Sequence, residues 1–233
     1  MMPKKKEKII GIVAAHPDDE VLGCGGTISR LANEGHQVHI LLLADGESSR
    51  GTSERSIKSK QLSERKSAAK RACKILNCTS VDLLSLPDNR LDRFERLDII
   101  KKIEEFIEHY RPNMVFTHHI GDVNIDHRIV HDAVIAACRS RPGHPVRELL
   151  FFEVLSSTEW RPPSSGCVFH PNVFVDISST ISRKLDALRA YESELRDFPH
   201  PRSIEAVEAL ARWRGATVGV NAAEAFILGR KVI

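Results

Sequence analysis

Three apolar runs, Ile9 to Ala14, Val38 to Leu43 and Met114 to Thr117, each give way abruptly to polar residues, and this pattern limits the fold more than any other feature of the chain. Continuous runs rich in Ile, Val and Leu belong to strands covered on both faces, as in a parallel sheet. Between them lie segments of helical spacing. Val21, Leu22, Ile28 and Leu31 recur until Gly35, and Ala68, Ala69, Ala72, Ile75 and Leu76 form a narrow apolar face between 62 and 77. Leu97, Ile100, Ile103, Phe106 and Ile107 mark a third helix ending before Pro112, and Ile129, Val130, Val134 and Ala137 a fourth. Further strands are predicted over 81–86, 149–155 and 173–175, with helices over 181–195 and 204–213 closing the chain. The polar stretch 48–60 reads as a loop or lid. The expectation is one α/β domain, 1–233, with a mostly parallel sheet and helices on both faces.

In such sheets ligands sit beyond the carboxyl ends of the strands. Three polar clusters fall there: His16-Pro17-Asp18-Asp19-Glu20, Pro87-Asp88-Asn89-Arg90, and His118 to His127. An imidazole and three carboxylates within five residues are costly to bury unless a cation binds them. Two plainer readings compete: Asp18 or Asp19 as a helix cap, and, from Gly23-Cys24-Gly25-Gly26, a dinucleotide loop. The second lacks the G-x-G-x-x-G spacing, and three acids repel a pyrophosphate.

With 233 residues there is room for one full core, and the formal charge of +3 is too small to argue for nucleic acid. No apolar run approaches the length of a membrane span, so a cytoplasmic protein without a membrane partner is expected. The five cysteines are scattered without a C-x-x-C pair. They are read as small buried hydrophobes, Cys24 being set apart by its closeness to the acidic motif, with no disulfide framework and no thiolate zinc site.

A catalytic zinc ion takes three His or carboxylate ligands and leaves a position for water. His16 and Asp19, three apart in the first turn after a strand, can face one point. His127, also following a strand end and opening a helix, is the chosen third ligand. His131, one turn further on, is its main rival, and His118 and His119 are also within reach in sequence terms. Asp18 is left beside the site, where a general base belongs. Asp126 suits the orientation of a neighbouring imidazole, with an N-cap as the alternative.

Ala15-His16-Pro17-Asp18-Asp19-Glu20 together with Asp126-His127 resembles the LmbE-like, or PIG-L, family of zinc-dependent N-deacetylases. The resemblance implies a Rossmann-like fold and removal of the acetyl group from an N-acetylglucosamine unit. It implies His16, Asp19 and His127 as zinc ligands, with Fe2+ or Co2+ as other possible metals, and Asp18 as general base. It also implies Arg65 and Asp88 as sugar contacts; a helix-surface charge and a turn residue are the plainer readings. Many members carry a histidine three residues before the last ligand, where this chain has Asn124. An asparagine amide donates one hydrogen bond to an oxyanion but brings no charge. His200, between Pro199 and Pro201, is a candidate to fill that role, since the chitobiose-type deacetylases are similar in drawing a C-terminal histidine to the site. It could come from a second subunit of a homo-oligomer, or be a surface residue of a rigid turn. Trp160, after the hydroxyls of Ser156, Ser157 and Thr158, suits stacking on a sugar ring or plain packing. The expected partner is a small amino sugar. The rival functions are hydrolysis of another amide or ester, and an inactive sugar-binding relative.

Overall fold

The computed structural model describes residues 7–46, 55–163 and 166–233. Seven strands form one sheet in the order β3-β2-β1-β4-β5-β7-β6. They are β1 (Ile9–Ala14), β2 (Gln37–Ala44), β3 (Ser80–Leu86), β4 (Met114–His118), β5 (Glu148–Phe152), β6 (Val173–Asp176) and β7 (Ala223–Lys231). The first five pair in parallel; β7 runs antiparallel between β5 and β6. The helices are α1 (Asp19–Asn33), α2 (Arg55–Leu76), α3 (Arg96–Tyr110), α4 (Ile125–Ala137), α5 (Ile181–Arg189) and α6 (Ile204–Ala216).

Alternation along each strand divides the core in two. Ile10, Ile12, Ile40, Leu42, Phe116 and Phe152 face one side, where they meet residues of α1, α2, α5 and α6. Val13, Leu41, Leu43, Val115 and Phe151 face the other, against α3 and α4. Both faces being covered is why these strands carry few polar residues. Among the described residues no helix is long and apolar enough to cross a membrane.

Five expectations need correction. The predicted loop 48–60 is helical from Arg55 onward; Arg, Lys and Gln are good helix formers, and a polar stretch without Gly or Pro is no barrier to helix. Its part from 48 to 54 lies outside the described residues. The predicted helix 181–195 stops at Arg189, followed by a short 3-10 turn at Glu192–Glu194. The strand placed over 149–155 ends at Phe152, and the chain closes on a strand, β7, rather than on helices. Finally, Cys73 and Cys78 are joined as a disulfide with a Cα–Cα distance of 5.1 Å. Asn77 at φ 61 turns the chain back at the end of α2, bringing Cys78 against the last turn.

Candidate active site

The carboxyl ends of β1, β3 and β4 converge, and the three polar clusters meet there. His16 Nδ1 lies 3.2 Å from Asp19 Oδ2, His127 Nε2 lies 3.2 Å from the same oxygen, and the two nitrogens are 3.3 Å apart. A tetrahedral first-row metal with bonds near 2.0 Å separates its ligand atoms by about 3.3 Å, so this triangle has the right size. Asp19 Oδ1 is buried without a hydrogen-bond partner among the described residues, which in a protein interior calls for a ligand. These residues fit a divalent cation.

The outward nitrogens support the same reading. His16 Nε2 meets Asp88 Oδ1 at 3.0 Å and Asp126 Oδ2 at 3.1 Å. His127 Nδ1 meets Asp122 Oδ2 at 3.0 Å. A carboxylate on one ring nitrogen fixes the proton there and turns the other lone pair inward. Asp126 is fixed in turn by the backbone N–H groups of Asn89 and Leu91. Asp122 accepts from Ser157, Thr158 and the backbone of Asn124. Burial opposes protonation of both imidazoles, yet the surrounding carboxylates raise His16 well above its ordinary value and His127 to about 9. A site that pulls protons onto buried imidazoles is one whose field favours a cation.

The rival histidines are otherwise engaged. His118 Nε2 accepts from the backbone N–H of Ala15, and its ring stacks on His127 with centroids 4.0 Å apart. His131 Nδ1 bonds the carbonyl of His118, and His119 Nδ1 accepts from Gly121.

Asp18 occupies the turn into α1 at φ 117, a conformation side chains rarely adopt, and makes no side-chain cap. Its backbone N–H donates to Glu20 Oε2, while Tyr191 donates to Glu20 Oε1 at 2.6 Å. Burial lifts the Asp18 carboxyl to about 6, against the pull of Arg202. Asn124, not Asp126, caps α4, its Oδ1 accepting from the N–H of Asp126. That bond commits the oxygen end of the amide and leaves the NH2 end as donor.

A cleft open beside these groups is lined by His16, Pro17, Asp18, Gly46, Arg65, Asp88, Asn89, Asn124, Glu194 and Arg202. Arg65 is buried and paired with Glu194. His200 and Trp160 are not in this lining: the two rings lie edge to face at 6.1 Å, Trp160 half exposed, and His200 Nδ1 accepts the backbone N–H of Arg202. The neighbour two residues along, Arg202, enters the cleft instead.

The sequence profile of PIG-L, GlcNAc-PI de-N-acetylase, matches residues 12–138, more than half of the chain. The chain belongs to this family. PIG-L relatives include the uncharacterized deacetylase YaiS of Escherichia coli, 30% identical over 81% of this chain and 92% of its own length. The diacetylchitobiose deacetylase of Thermococcus kodakarensis is 31% identical over 82% of this chain and 72% of its own. A 4-oxalmesaconate hydratase of Pseudomonas putida is 26% identical over 76% and 70%. Among solved structures, the conserved protein TT1542 from Thermus thermophilus is 30% identical with a TM-score of 0.76, covering 96% of both chains. The PIG-L match takes in His16, Asp18, Asp19, Arg65, Asp88, Asn124, Asp126 and His127, but Tyr191, Glu194 and Arg202 lie beyond it. Sequence reasoning assigned no role to these three or to Asp122. Asp122 sat in a quoted polar cluster, and the others carried no spacing signal.

Proposed function

We propose that this PIG-L protein removes the acetyl group from an N-acetylglucosamine-type amino sugar or its conjugate, giving acetate and a free amine. The observation that carries the reading is the inward triangle of His16 Nδ1, Asp19 Oδ2 and His127 Nε2 with Asp18 beside it in one cleft. The deacetylase relatives support the same chemistry. Zinc, or Fe2+ or Co2+ in its place, held by His16, Asp19 and His127, would supply Lewis acidity and water of lowered pKa, near 7 with zinc.

The chain's own residues do the rest. Asp126 and Asp122 hold the two imidazoles in the required tautomer. Asp18 takes a proton from the attacking water and returns it to the departing amine. The free NH2 end of Asn124 donates to the acyl oxygen, and Arg65 and Asp88, on the cleft wall, bind the sugar hydroxyls. His200 and Trp160 lie outside the lining of this cleft.

The similarity to a hydratase supports a second reading, in which the same groups add water across a carbon–carbon double bond and no amine departs. Acetate release over free, nucleotide-linked and oligomeric N-acetylglucosamines decides between them. The deacetylase reading expects release from at least one member; silence across the panel with metal bound overturns it.

A further inference from the structure

We propose that Arg202 is a catalytic residue, the cation that stabilises the negative charge developing on the acyl oxygen; this rests on the deacetylase reading above. The cleft lining holds two arginines, Arg65 and Arg202, and two neutral amides, Asn124 and Asn89, the latter with its NH2 donating to Asp88 Oδ1 at 3.1 Å. The Arg65 side chain is only 3% exposed and bonded to Glu194. The Arg202 side chain is 24% exposed, and its guanidinium is fixed from three directions. Nε donates to Ser156 Oγ at 2.7 Å, and Nη1 donates to both Asp18 Oδ2 at 3.0 Å and Glu194 Oε2 at 3.1 Å. Nη2 has no partner among the described residues.

Its backbone is equally constrained. The N–H of Arg202 donates to His200 Nδ1, and the next residue, Ser203, is wholly buried and caps α6 through Ala206. The guanidinium therefore needs no reorganisation when charge appears, which is the condition for strong electrostatic stabilisation.

Charge flow selects Arg202 over a simple sugar contact. The water oxygen bonds the acyl carbon, its proton passes to Asp18, and the carbonyl π electrons move to the acyl oxygen. Asp18 becomes neutral as that oxygen becomes negative. The charge that Arg202 neutralised on Asp18 is thus replaced by one within reach of its unused Nη2 edge, an interaction made in the transition state and absent before it. When the carbonyl re-forms, the C–N bond breaks and the nitrogen takes back the proton from Asp18, giving acetic acid and the amine; the acid's remaining water-derived proton then passes to the amine, leaving acetate and an ammonium group.

The test uses the metal-loaded full chain, with Arg202→Met and Arg202→Lys. Arg202→Met is expected to lower kcat by about 100- to 1,000-fold at nearly unchanged KM and metal content, at every pH, with partial rescue by guanidinium ion. Binding gives an independent readout. A methylphosphonyl amide of glucosamine, whose tetrahedral phosphorus carries the oxyanion, should bind the variant about 100-fold more weakly, while glucosamine binds equally. A raised KM at normal kcat, a loss that vanishes at high pH, or equal weakening of both ligands overturns the assignment. Arg202→Lys keeps the charge should the Met variant fail to fold, and is expected to lose kcat at least about tenfold because lysine lacks the planar fork; full activity in it overturns the role of that fork. Wild-type silence on the substrate panel overturns the deacetylase reading itself, a result distinct from an active wild type whose Met variant keeps its kcat.

Discussion

Asp18 concentrates the chemistry and the strain of this site in one residue. Its φ of 117 costs about 1–3 kcal/mol and is held by contacts on both ends: Glu20 on its N–H and Arg202 on its carboxylate. Asp18→Asn preserves size and removes the base. We expect it to retain metal and lose turnover by about 100- to 10,000-fold, measured as acetate release against metal content; near-normal turnover would assign the base elsewhere. Tyr191→Phe tests the support behind it. Burial lifts Glu20 to about 7, and removing the hydroxyl leaves that buried carboxyl short of a partner. The expected cost is about 1–3 kcal/mol in urea unfolding, with kcat falling alongside because Asp18 loses its anchor. Unchanged kcat would confine Tyr191 to stability.

The glycine-rich stretch that follows is best understood at the level of α1 and its neighbours. The helix kinks at Cys24, and its freed backbone groups are taken up from outside: Glu224 accepts from the N–H groups of Gly26 and Thr27, and Lys184 donates to the carbonyl of Leu22. Lys184 and Glu224 also pair with each other at 2.5 Å in the interior. Lys184→Met leaves Glu224 buried without its counter-ion and should cost about 3–5 kcal/mol in urea; a loss below about 1 kcal/mol would mean that water replaces the lysine. Gly23 meets the Phe152 ring so closely that a Cβ would lie 2.7 Å from its Cγ. Gly23→Ala should therefore cost about 1–3 kcal/mol, more than Gly25→Ala, whose nearest neighbour would be Val21 Cγ1 at 3.1 Å. Glycine spacing alone could exclude a dinucleotide loop but could not show this packing, because Phe152, Lys184 and Glu224 reach α1 from distant segments.

Across the whole molecule, legibility in the sequence followed range. The parallel strands β1, β2, β4 and β5 announced themselves as apolar runs, since burial on both faces leaves a local compositional mark; the half-buried edge strand β3 carries only the weaker signal of Val81, Leu83, Leu84 and Leu86. The triangle of His16, Asp19 and His127 was reachable because strand ends in such a sheet share one edge. What escaped notice depends on chain returning from afar. β7 inserts between β5 and β6 although Ala223-Glu224-Ala225 has little strand character, and Arg202 reaches Asp18 across 184 positions from a proline-flanked turn with no periodicity. The charge pattern of the assembled site leads to a last expectation. His16, Asp19 and His127 come together only in the folded chain, so a cation bound there stabilises folding by mass action, by about 2.7 kcal/mol at a free concentration 100 times its dissociation constant. Urea midpoints of the chelator-treated protein should rise on adding zinc, and His127→Ala, which removes one corner of the triangle, should show little of that rise together with lost metal and lost acetate release. An equal zinc response in wild type and His127→Ala would place the stabilising ion somewhere other than this triangle.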